Sequence, residues 1–167
     1  MEMATLLFLG FIIAQRLSEL VVAKRNTACL LDKGAYEVGA EHCPIMVGMH
    51  SLWIAGLLFL GYDESVAYGW IAIFAVLQMF RTWVLGTLGS RWTTRVIILP
   101  EPLVIAGPFK YLKQLNYILV VAEIIVAPIV LSLTWVALVF TVLNAAMLYV
   151  RIGVDEKELS KLPSMLA

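Results

Sequence analysis

The sequence predicts an all-α protein, a polytopic membrane bundle of about five transmembrane helices. Of its 167 residues, 62% are hydrophobic and only 14% are charged, and the mean hydropathy is +0.91. A soluble domain of this length could not bury so much apolar surface, so the lipid bilayer must be its solvent. The formal net charge is zero, which gives no support for a nucleic-acid partner. The length, together with the lack of a repeat or linker, favours a single domain over residues 1–167.

Five apolar stretches justify the helix count, because a bilayer core needs about 20 helical residues. The first stretch carries no small-residue cleavage site, so we interpret it as a retained span and not as a signal peptide. The fourth is short and ends at Pro128, and only Leu131 separates it from the fifth. These two should form a tight hairpin with its turn at the far membrane surface. The predicted spans are residues 3–23, 44–61, 66–87, 115–130 and 132–150.

The distribution of lysine and arginine predicts the orientation of the bundle. Ten of these twelve residues lie in the segments 24–43, 88–114 and 151–167, and neither the second connection nor the hairpin turn carries any. Short basic segments stay on the cytoplasmic side of a membrane. We therefore expect a multi-pass membrane protein with its N-terminus outside and its C-terminus cytoplasmic.

Charged residues inside the spans have both structural and functional interpretations. Arg16 and Glu19 are three residues apart and could pair on one helix face, as a snorkelling pair or as part of a site. Arg81 carries the same two interpretations. Glu123 lies in an apolar run, where a carboxylate must be protonated, paired or facing a wet cavity. Asn144 is expected to form an interhelical hydrogen bond.

The histidines, cysteines and most tryptophans have plain structural interpretations. His42 and His50 flank the start of the second span, and neither has carboxylates or thiols at metal-ligand spacing. Cys29 and Cys43 have no CxxC spacing, and we predict free thiols and no metal site. Tryptophans near membrane surfaces are usually anchors. Trp92 is the exception, because it lies beside Arg91 and Arg95 in the long basic segment and could contact a cofactor.

A functional site is predicted where polar groups, aromatic rings and turn formers crowd together. This occurs at residues 99–117, LPEPLVIAGPFKYLKQLNY, and at residues 151–159, RIGVDEKEL, both just outside long apolar runs. Such a boundary in a membrane protein favours a binding site. The sequence contains no GxGxxG, P-loop, HExxH or GxSxG motif. A nucleotide cofactor would therefore have to bind between helix ends.

Residues 103–117, LVIAGPFKYLKQLNY, resemble the pattern LV-x-x-GPY-x-x-x-RHP-x-Y, and residues 151–156, RIGVDE, resemble the element R-x-x-x-EE. Both mark the isoprenylcysteine carboxyl methyltransferase family of membrane enzymes. The stretches 16–26, 34–50 and 91–100 resemble more specifically its small bacterial branch, which includes alkylpyrone O-methyltransferases. The resemblance covers nearly the whole chain.

The resemblance implies an S-adenosylmethionine-dependent methyltransferase of the bacterial inner membrane, with its active site at the cytoplasmic face. The cofactor would bind at the cytoplasmic ends of the last two helices, with residues 88–114 folded over it as a lid and S-adenosylhomocysteine as the product. A lipophilic acceptor, isoprenylcysteine-like or alkylpyrone-like, would enter from the bilayer among membrane lipids. Arg151 would orient the acceptor, and Asp155 with Glu156 would take the place of the tail acids. The implied cofactor-binding residues are Glu101, Pro102, Leu103, Val104, Phe109, Gln114, Leu115, Asn116 and Tyr117.

The acceptor chemistry and two departures leave alternatives open. A carboxylate acceptor needs no base, whereas a hydroxypyrone enol could arrive ionised or lose its proton to Asp155, Glu156 or Glu123. The family's Arg-His-Pro is replaced by Lys113-Gln114-Leu115, and its Tyr by Phe109. Gln114 carries no charge, and replacing proline with leucine lets the fourth helix begin earlier. The alternative is a non-catalytic membrane scaffold or lipid-binding protein. A transporter is disfavoured, because five spans give no matched repeat halves.

Overall fold

The computed structural model describes residues 3–38, 43–98 and 108–159, which form five α-helices and a two-stranded sheet. The predicted number of helices is confirmed. The sheet was not predicted, because three-residue strands are too short to show a period of two. The helices are α1 (Met3–Asp32), α2 (Cys43–Gly61), α3 (Tyr68–Leu88), α4 (Pro108–Val130) and α5 (Thr134–Leu159), and the strands are β1 (Tyr36–Val38) and β2 (Val96–Ile98).

Four helices are long and apolar enough to cross a membrane within the described ranges: α1, α2, α3 and α5. The apolar part of α4, Leu115–Val130, is shorter. At 1.5 Å per residue it spans about 24 Å, against roughly 30 Å for a hydrocarbon core. The helical membrane architecture is therefore confirmed, while the fifth crossing and the orientation stay predictions.

Three of the helices extend beyond the apolar runs that predicted them. α1 continues from the predicted end at residue 23 to Asp32, and α5 continues to Leu159 into the predicted tail. α4 begins at Pro108, so residues 108–114 are helical although we predicted them to belong to the lid. Proline is favoured in the first turn of a helix, where no N–H is needed. Hydropathy marks only the part of a helix that contacts lipid, and for this reason it missed the polar extensions.

The turn between α4 and α5 is closed by backbone hydrogen bonds. Leu133 N–H donates to Pro128 O at 2.9 Å, and Ser132 N–H donates to Ile129 O, also at 2.9 Å. Ser132 has φ +59°, the left-handed conformation that ends many helices in this bonding pattern. Pro128 therefore does not end the helix, which continues to Val130. The three-residue connection is the tight hairpin expected from the two adjacent apolar runs.

The apolar core lies toward the end of the bundle that contains this hairpin turn. Phe8 of α1 packs edge-on against Phe74 of α3, with ring centroids 5.1 Å apart. Trp53 and Leu57 of α2 are fully enclosed in the same cluster. Thr5 Oγ1 fastens α1 to the α2–α3 connection by donating to Glu64 O at 2.8 Å.

The antiparallel sheet lies toward the opposite end of α1 and joins the two long connections. β1 pairs with β2 in the register Tyr36↔Ile98, Glu37↔Ile97 and Val38↔Val96. Arg95 supports the sheet with an ion pair to Glu37 at 2.7 Å. Asn26 of α1 donates from Nδ2 to Gly89 O at 3.0 Å and to Trp92 O at 2.8 Å. The segment between α3 and β2 is thereby held against α1.

Candidate active site

A cavity of about 150 Å³ lies between the five helices, next to the segment that Asn26 holds. Most of its accessible wall is apolar, from side chains such as Leu20, Ile54 and Val120, and polar side chains are set among them. Polar side chains around a hollow in a membrane protein favour a binding site. The polar and aromatic lining residues include Arg16, Glu19, His50, Ser51, Arg81, Trp92, Thr93, Thr94, Asn116, Tyr117, Asn144 and Arg151.

Three residues predicted from the two separated sequence elements line this one cavity. Asn116 and Tyr117 lie on α4, and Arg151 lies on α5. The guanidinium carbon of Arg151 is 5.4 Å from the centroid of the Tyr117 ring, a cation–π arrangement. Arg151 Nη1 also contacts Sδ of Met46 on α2 at 3.0 Å. The structure therefore brings both predicted elements to the same wall of the cavity.

The remaining predicted site residues are not placed in the cavity. Leu115 is half-buried on α4 and is not one of the lining residues. Four of the others lie on described helical backbone, with side chains outside the described part: Phe109 and Gln114 in α4, and Asp155 and Glu156 in α5. The last four lie outside the described residues: Glu101, Pro102, Leu103 and Val104.

Four charged side chains form a buried network beside the cavity. Glu123 of α4 accepts from Arg16 Nη2 of α1 at 2.7 Å. Glu19 of α1 accepts from Arg81 Nη2 of α3 at 2.7 Å and from Arg16 Nη1 at 3.1 Å. Arg81 Nη1 also lies 3.0 Å from Glu123 Oε2, at an angle that makes an ion pair without a hydrogen bond. Two arginines and two glutamates give a net charge of zero, which is what burial in a membrane requires.

Two glutamines complete this network. Gln78 Nε2 of α3 donates to Glu123 Oε1 at 2.8 Å, and Gln15 Nε2 of α1 donates to Glu19 Oε1 at 3.1 Å. Each carboxylate oxygen therefore has at least one donor. Both carboxylates are therefore fully hydrogen-bonded by these neighbours.

Arg16, Glu19 and Arg81 combine the two interpretations that the sequence left open, because they pair with one another and also line the cavity. Arg16 and Glu19 do pair, as their spacing suggested. Glu123 is 1% exposed and is not among the cavity-lining residues, so it is a paired charge and not a pocket-facing one. Arg81 is 3% exposed and faces the bundle interior, which excludes snorkelling. Asn144, expected to join helices, is buried and lines the cavity.

His50 and Trp92 line the same cavity. From the sequence we interpreted His50 as a structural imidazole near the membrane interface. Its position as a polar residue inside an apolar run was the one signal of a functional role. Its Nδ1 lies 2.9 Å from Met46 O one helical turn earlier. Trp92, the tryptophan singled out as a possible cofactor contact, is 5% exposed. Asn26 holds its backbone in place, and no sequence pattern could have shown that contact.

Polar atoms without a partner concentrate at the cavity. Among the described residues, six buried side-chain nitrogen or oxygen atoms have no hydrogen bond, and five belong to cavity-lining residues. Buried polar groups are nearly always satisfied, so a cluster of exceptions indicates that a ligand or water satisfies them. The five atoms are Arg16 Nε, Trp92 Nε1, Asn116 Oδ1, Arg151 Nε and Arg81 Nη1, and the last of these already has its ion pair with Glu123.

The sequence profile of the isoprenylcysteine carboxyl methyltransferase family matches residues 70–161. The chain is also 33% identical over 161 residues to an uncharacterized Bacillus subtilis (strain 168) protein, YpbQ. That alignment covers 93% of this chain and 96% of the relative. No solved structure matches the chain significantly. The profile match includes α4, α5 and the segment that holds Trp92.

Proposed function

The chain belongs to the isoprenylcysteine carboxyl methyltransferase family, and from this premise we propose that it transfers a methyl group from S-adenosylmethionine to an oxygen of a lipophilic acceptor. The observation that carries the proposal is the shared cavity of Asn116, Tyr117 and Arg151. Asn116 and Tyr117 belong to one motif element and Arg151 to the other. Tyr117 and Arg151 are 34 positions apart in the chain. Separate elements that converge on one hollow are typical of a ligand site.

The unpartnered groups of the cavity fit the polar parts of S-adenosylmethionine. Trp92 Nε1 is a donor suited to a carboxylate or a ribose oxygen, and Asn116 Oδ1 is an acceptor suited to an amino or hydroxyl group. The Tyr117 ring, 9% exposed, offers a surface that a sulfonium or an adenine can contact. When bound, the cofactor supplies a methyl group already activated by the positive sulfur. Phe109, Gln114 and residues 101–104 are proposed to complete this part of the site.

Arg151 is proposed to hold the acceptor oxygen. Its Nε is buried without a hydrogen bond, and no described carboxylate pairs with the guanidinium. An arginine that keeps an unused donor beside a cavity favours an anionic or hydrogen-bonding oxygen. Asp155 and Glu156 lie one helical turn beyond Arg151 in α5 and are proposed to act with it. Holding both reactants at contact distance can supply several kcal/mol of the barrier.

We propose that the acceptor and the cofactor reach the site by different routes, because one dissolves in lipid and the other in water. The lipophilic acceptor enters from the bilayer, and the water-soluble cofactor enters from the side that carries the basic connections. By the distribution of lysine and arginine, that side is the cytoplasmic face of an inner membrane.

Titration with S-adenosylhomocysteine tests the proposal directly. The purified protein in detergent should bind this product with saturation, and Tyr117→Ala and Asn116→Ala should weaken binding. Tyr149→Ala is the matched control, because Tyr149 lies on α5 with 83% of its surface exposed. Absence of binding at millimolar ligand would overturn the enzyme proposal.

A non-catalytic scaffold or lipid-binding role is the alternative, and the Lys113-Gln114-Leu115 departure favours it. On this alternative the parent binds no cofactor, and Gln114→His creates binding. Restoring the family's proline at position 115 is a poorer test than restoring its histidine at position 114. α4 is continuous from Pro108, so Leu115→Pro would place a proline inside the helix at a cost of about 3 kcal/mol.

A further inference from the structure

The hydrogen bond of His50 fixes which of its ring nitrogens carries the proton. Nδ1 lies 2.9 Å from the backbone carbonyl oxygen of Met46. A carbonyl oxygen can only accept a hydrogen bond, so Nδ1 must be the N–H donor. In the neutral imidazole the other nitrogen, Nε2, then carries a lone pair and no hydrogen.

The lone pair of Nε2 is not used by the protein within the described residues. His50 lines the cavity, and its one hydrogen bond there is the one to Met46. A cavity-lining imidazole whose donor nitrogen is fixed by its own helix, and whose other nitrogen is unpaired, is suited to act as a general base.

Glu19 and Glu123, the described carboxylates at or near the cavity, already accept hydrogen bonds from other side chains. Glu19 accepts from Arg16, Arg81 and Gln15, and Glu123 accepts from Arg16 and Gln78. A carboxylate that is fully paired with guanidinium groups is a weak proton acceptor. Among the ionisable side chains that the structure describes around this cavity, His50 is therefore the one that keeps an unpaired nitrogen lone pair.

Met46 places His50 next to the predicted acceptor site. Its carbonyl oxygen accepts from His50, and its sulfur contacts Arg151 Nη1 at 3.0 Å. Met46 thus touches both residues, and His50 follows it by one turn of α2, about 6 Å along the helix axis. The charged groups facing this space are Arg16 and Glu19 on α1, Arg81 on α3 and Arg151 on α5.

We propose that Nε2 of His50 is the catalytic base that removes the proton from a hydroxyl or enol acceptor held by Arg151. This rests on the proposed methyltransferase function and adds a catalytic residue to it. The acceptor O–H bond breaks, its proton passes to Nε2, and its electron pair stays on the oxygen. That pair forms the new O–CH₃ bond while the C–S bond of the sulfonium donor breaks, leaving its electrons on sulfur. The imidazolium then releases the proton to water.

The proposal separates two acceptor classes. A carboxylate is already ionised near neutral pH and needs no base, whereas a hydroxyl group does. His50 therefore matters for a lipophilic alcohol, phenol or enol and not for a lipophilic carboxylic acid.

A pair of acceptors and one substitution test the assignment. His50→Asn keeps an N–H that can reach Met46 O but has no second ring nitrogen. Methyl transfer to a long-chain alkylphenol should fall by about 100-fold or more, the usual contribution of a general base. Transfer to a long-chain fatty acid should change less than about threefold, because no proton is removed. Equal loss with both acceptors, or no loss with the phenol, would overturn the proposal.

Thr82→Ala serves as the control variant. Thr82 is exposed on α3, and within the described part of the chain its hydroxyl donates to two carbonyls of its own helix, those of Gln78 and Met79. Both rates should stay at the parent value in this variant.

A binding measurement decides the point without turnover. A long-chain nitrophenol is a suitable probe, because its visible absorbance changes when it ionises. In the absence of any methyl donor, a larger fraction of the bound probe should be ionised in the parent protein than in His50→Asn. Affinity for S-adenosylhomocysteine should be equal in the two proteins. Failure of the probe to bind, or an unchanged ionised fraction, would overturn the role of His50. Failure of S-adenosylhomocysteine to bind the parent would instead overturn the methyltransferase proposal, and the two failures are thus distinct.

Discussion

Arg16 and Glu123 lie 107 positions apart in the chain, and their side chains meet at 2.7 Å between Nη2 and Oε2. The contact joins α1 to α4, and Glu19 with Arg81 extends it to α3. Both side chains are deeply enclosed, at 12% and 1% exposure. A charge in such a place is tolerated only with its partner, so the contact fixes the relative rotation of the helices.

Glu123→Gln should destabilise the folded protein strongly. The substitution removes one negative charge from the neutral network of two arginines and two glutamates. Arg16 and Arg81 then share a single carboxylate, that of Glu19. Loss of one member of a buried pair typically costs about 3–5 kcal/mol. The free energy of unfolding in detergent or in lipid nanodiscs would report the change.

The control for this prediction is Glu37→Gln, which breaks an ion pair whose arginine, Arg95, has a side chain that is 46% exposed. Such a pair contributes at most about 1 kcal/mol. The double variant Arg16→Gln/Glu123→Gln should recover part of the loss, because it removes one charge of each sign. Additive losses in this cycle would show that the two residues do not interact.

Trp92→Phe should weaken S-adenosylhomocysteine binding by roughly 3- to 10-fold. The ring is buried, and its N–H has no hydrogen bond within the described chain, so phenylalanine removes one donor without opening a large hole. A neutral hydrogen bond contributes about 0.5–1.5 kcal/mol, which corresponds to that range. Isothermal titration of the parent, Trp92→Phe and the lipid-facing control Trp135→Phe would measure it. Equal affinities of the first two proteins would exclude Trp92 Nε1 as a ligand contact.

Asn26→Ala should loosen the segment from Gly89 to Arg95. Asn26 holds this segment with two hydrogen bonds, to Gly89 O and Trp92 O, each contributing about 1 kcal/mol. Hydrogen exchange at residues 89–95 should accelerate, and affinity for S-adenosylhomocysteine should fall with it. Ser18→Ala is a suitable comparison, since the Ser18 hydroxyl, among the residues described, donates to Gln15 O of its own helix. Unchanged exchange would mean that the sheet alone holds the segment.

Cysteine labelling should reveal the orientation. Cys29 is exposed near the end of α1, in the first basic connection. In a Cys43→Ser background it should resist a membrane-impermeant maleimide in intact cells and react after permeabilisation. A cysteine introduced in place of Asp63, in the connection without basic residues, should react in intact cells. The opposite pattern would invert the predicted topology.

Much of the architecture could be read from composition. Hydropathy gave the membrane class, the number of helices and the α4–α5 hairpin, because long apolar runs have few other stable structures. It missed the polar ends of α1 and α5 and the start of α4 at Pro108, because helices continue where lipid contact stops. The two strands were missed because three residues carry no periodic signal.

The candidate site was predicted only in part. Asn116, Tyr117 and Arg151 were found because they lie in motif elements at span boundaries. His50 and the partners of Glu123 were not, because nothing in the chain marks which face of an apolar helix turns inward. Helices in lipid are apolar on both faces, so the pattern that reveals a buried face in a soluble helix is lost.

The sequence by itself determined that this chain is a helical membrane bundle, because a chain that is 62% hydrophobic needs the bilayer as its solvent. It also located the polar segments at the ends of the apolar runs. Only the tertiary structure decided that two arginines and two glutamates from three helices neutralise one another, and that His50 borders the cavity of Arg151. The physical reason is that such contacts depend on how each helix is rotated against its neighbours. That rotation is set by packing and by the need to pair every buried charge, not by the order of residues along one helix.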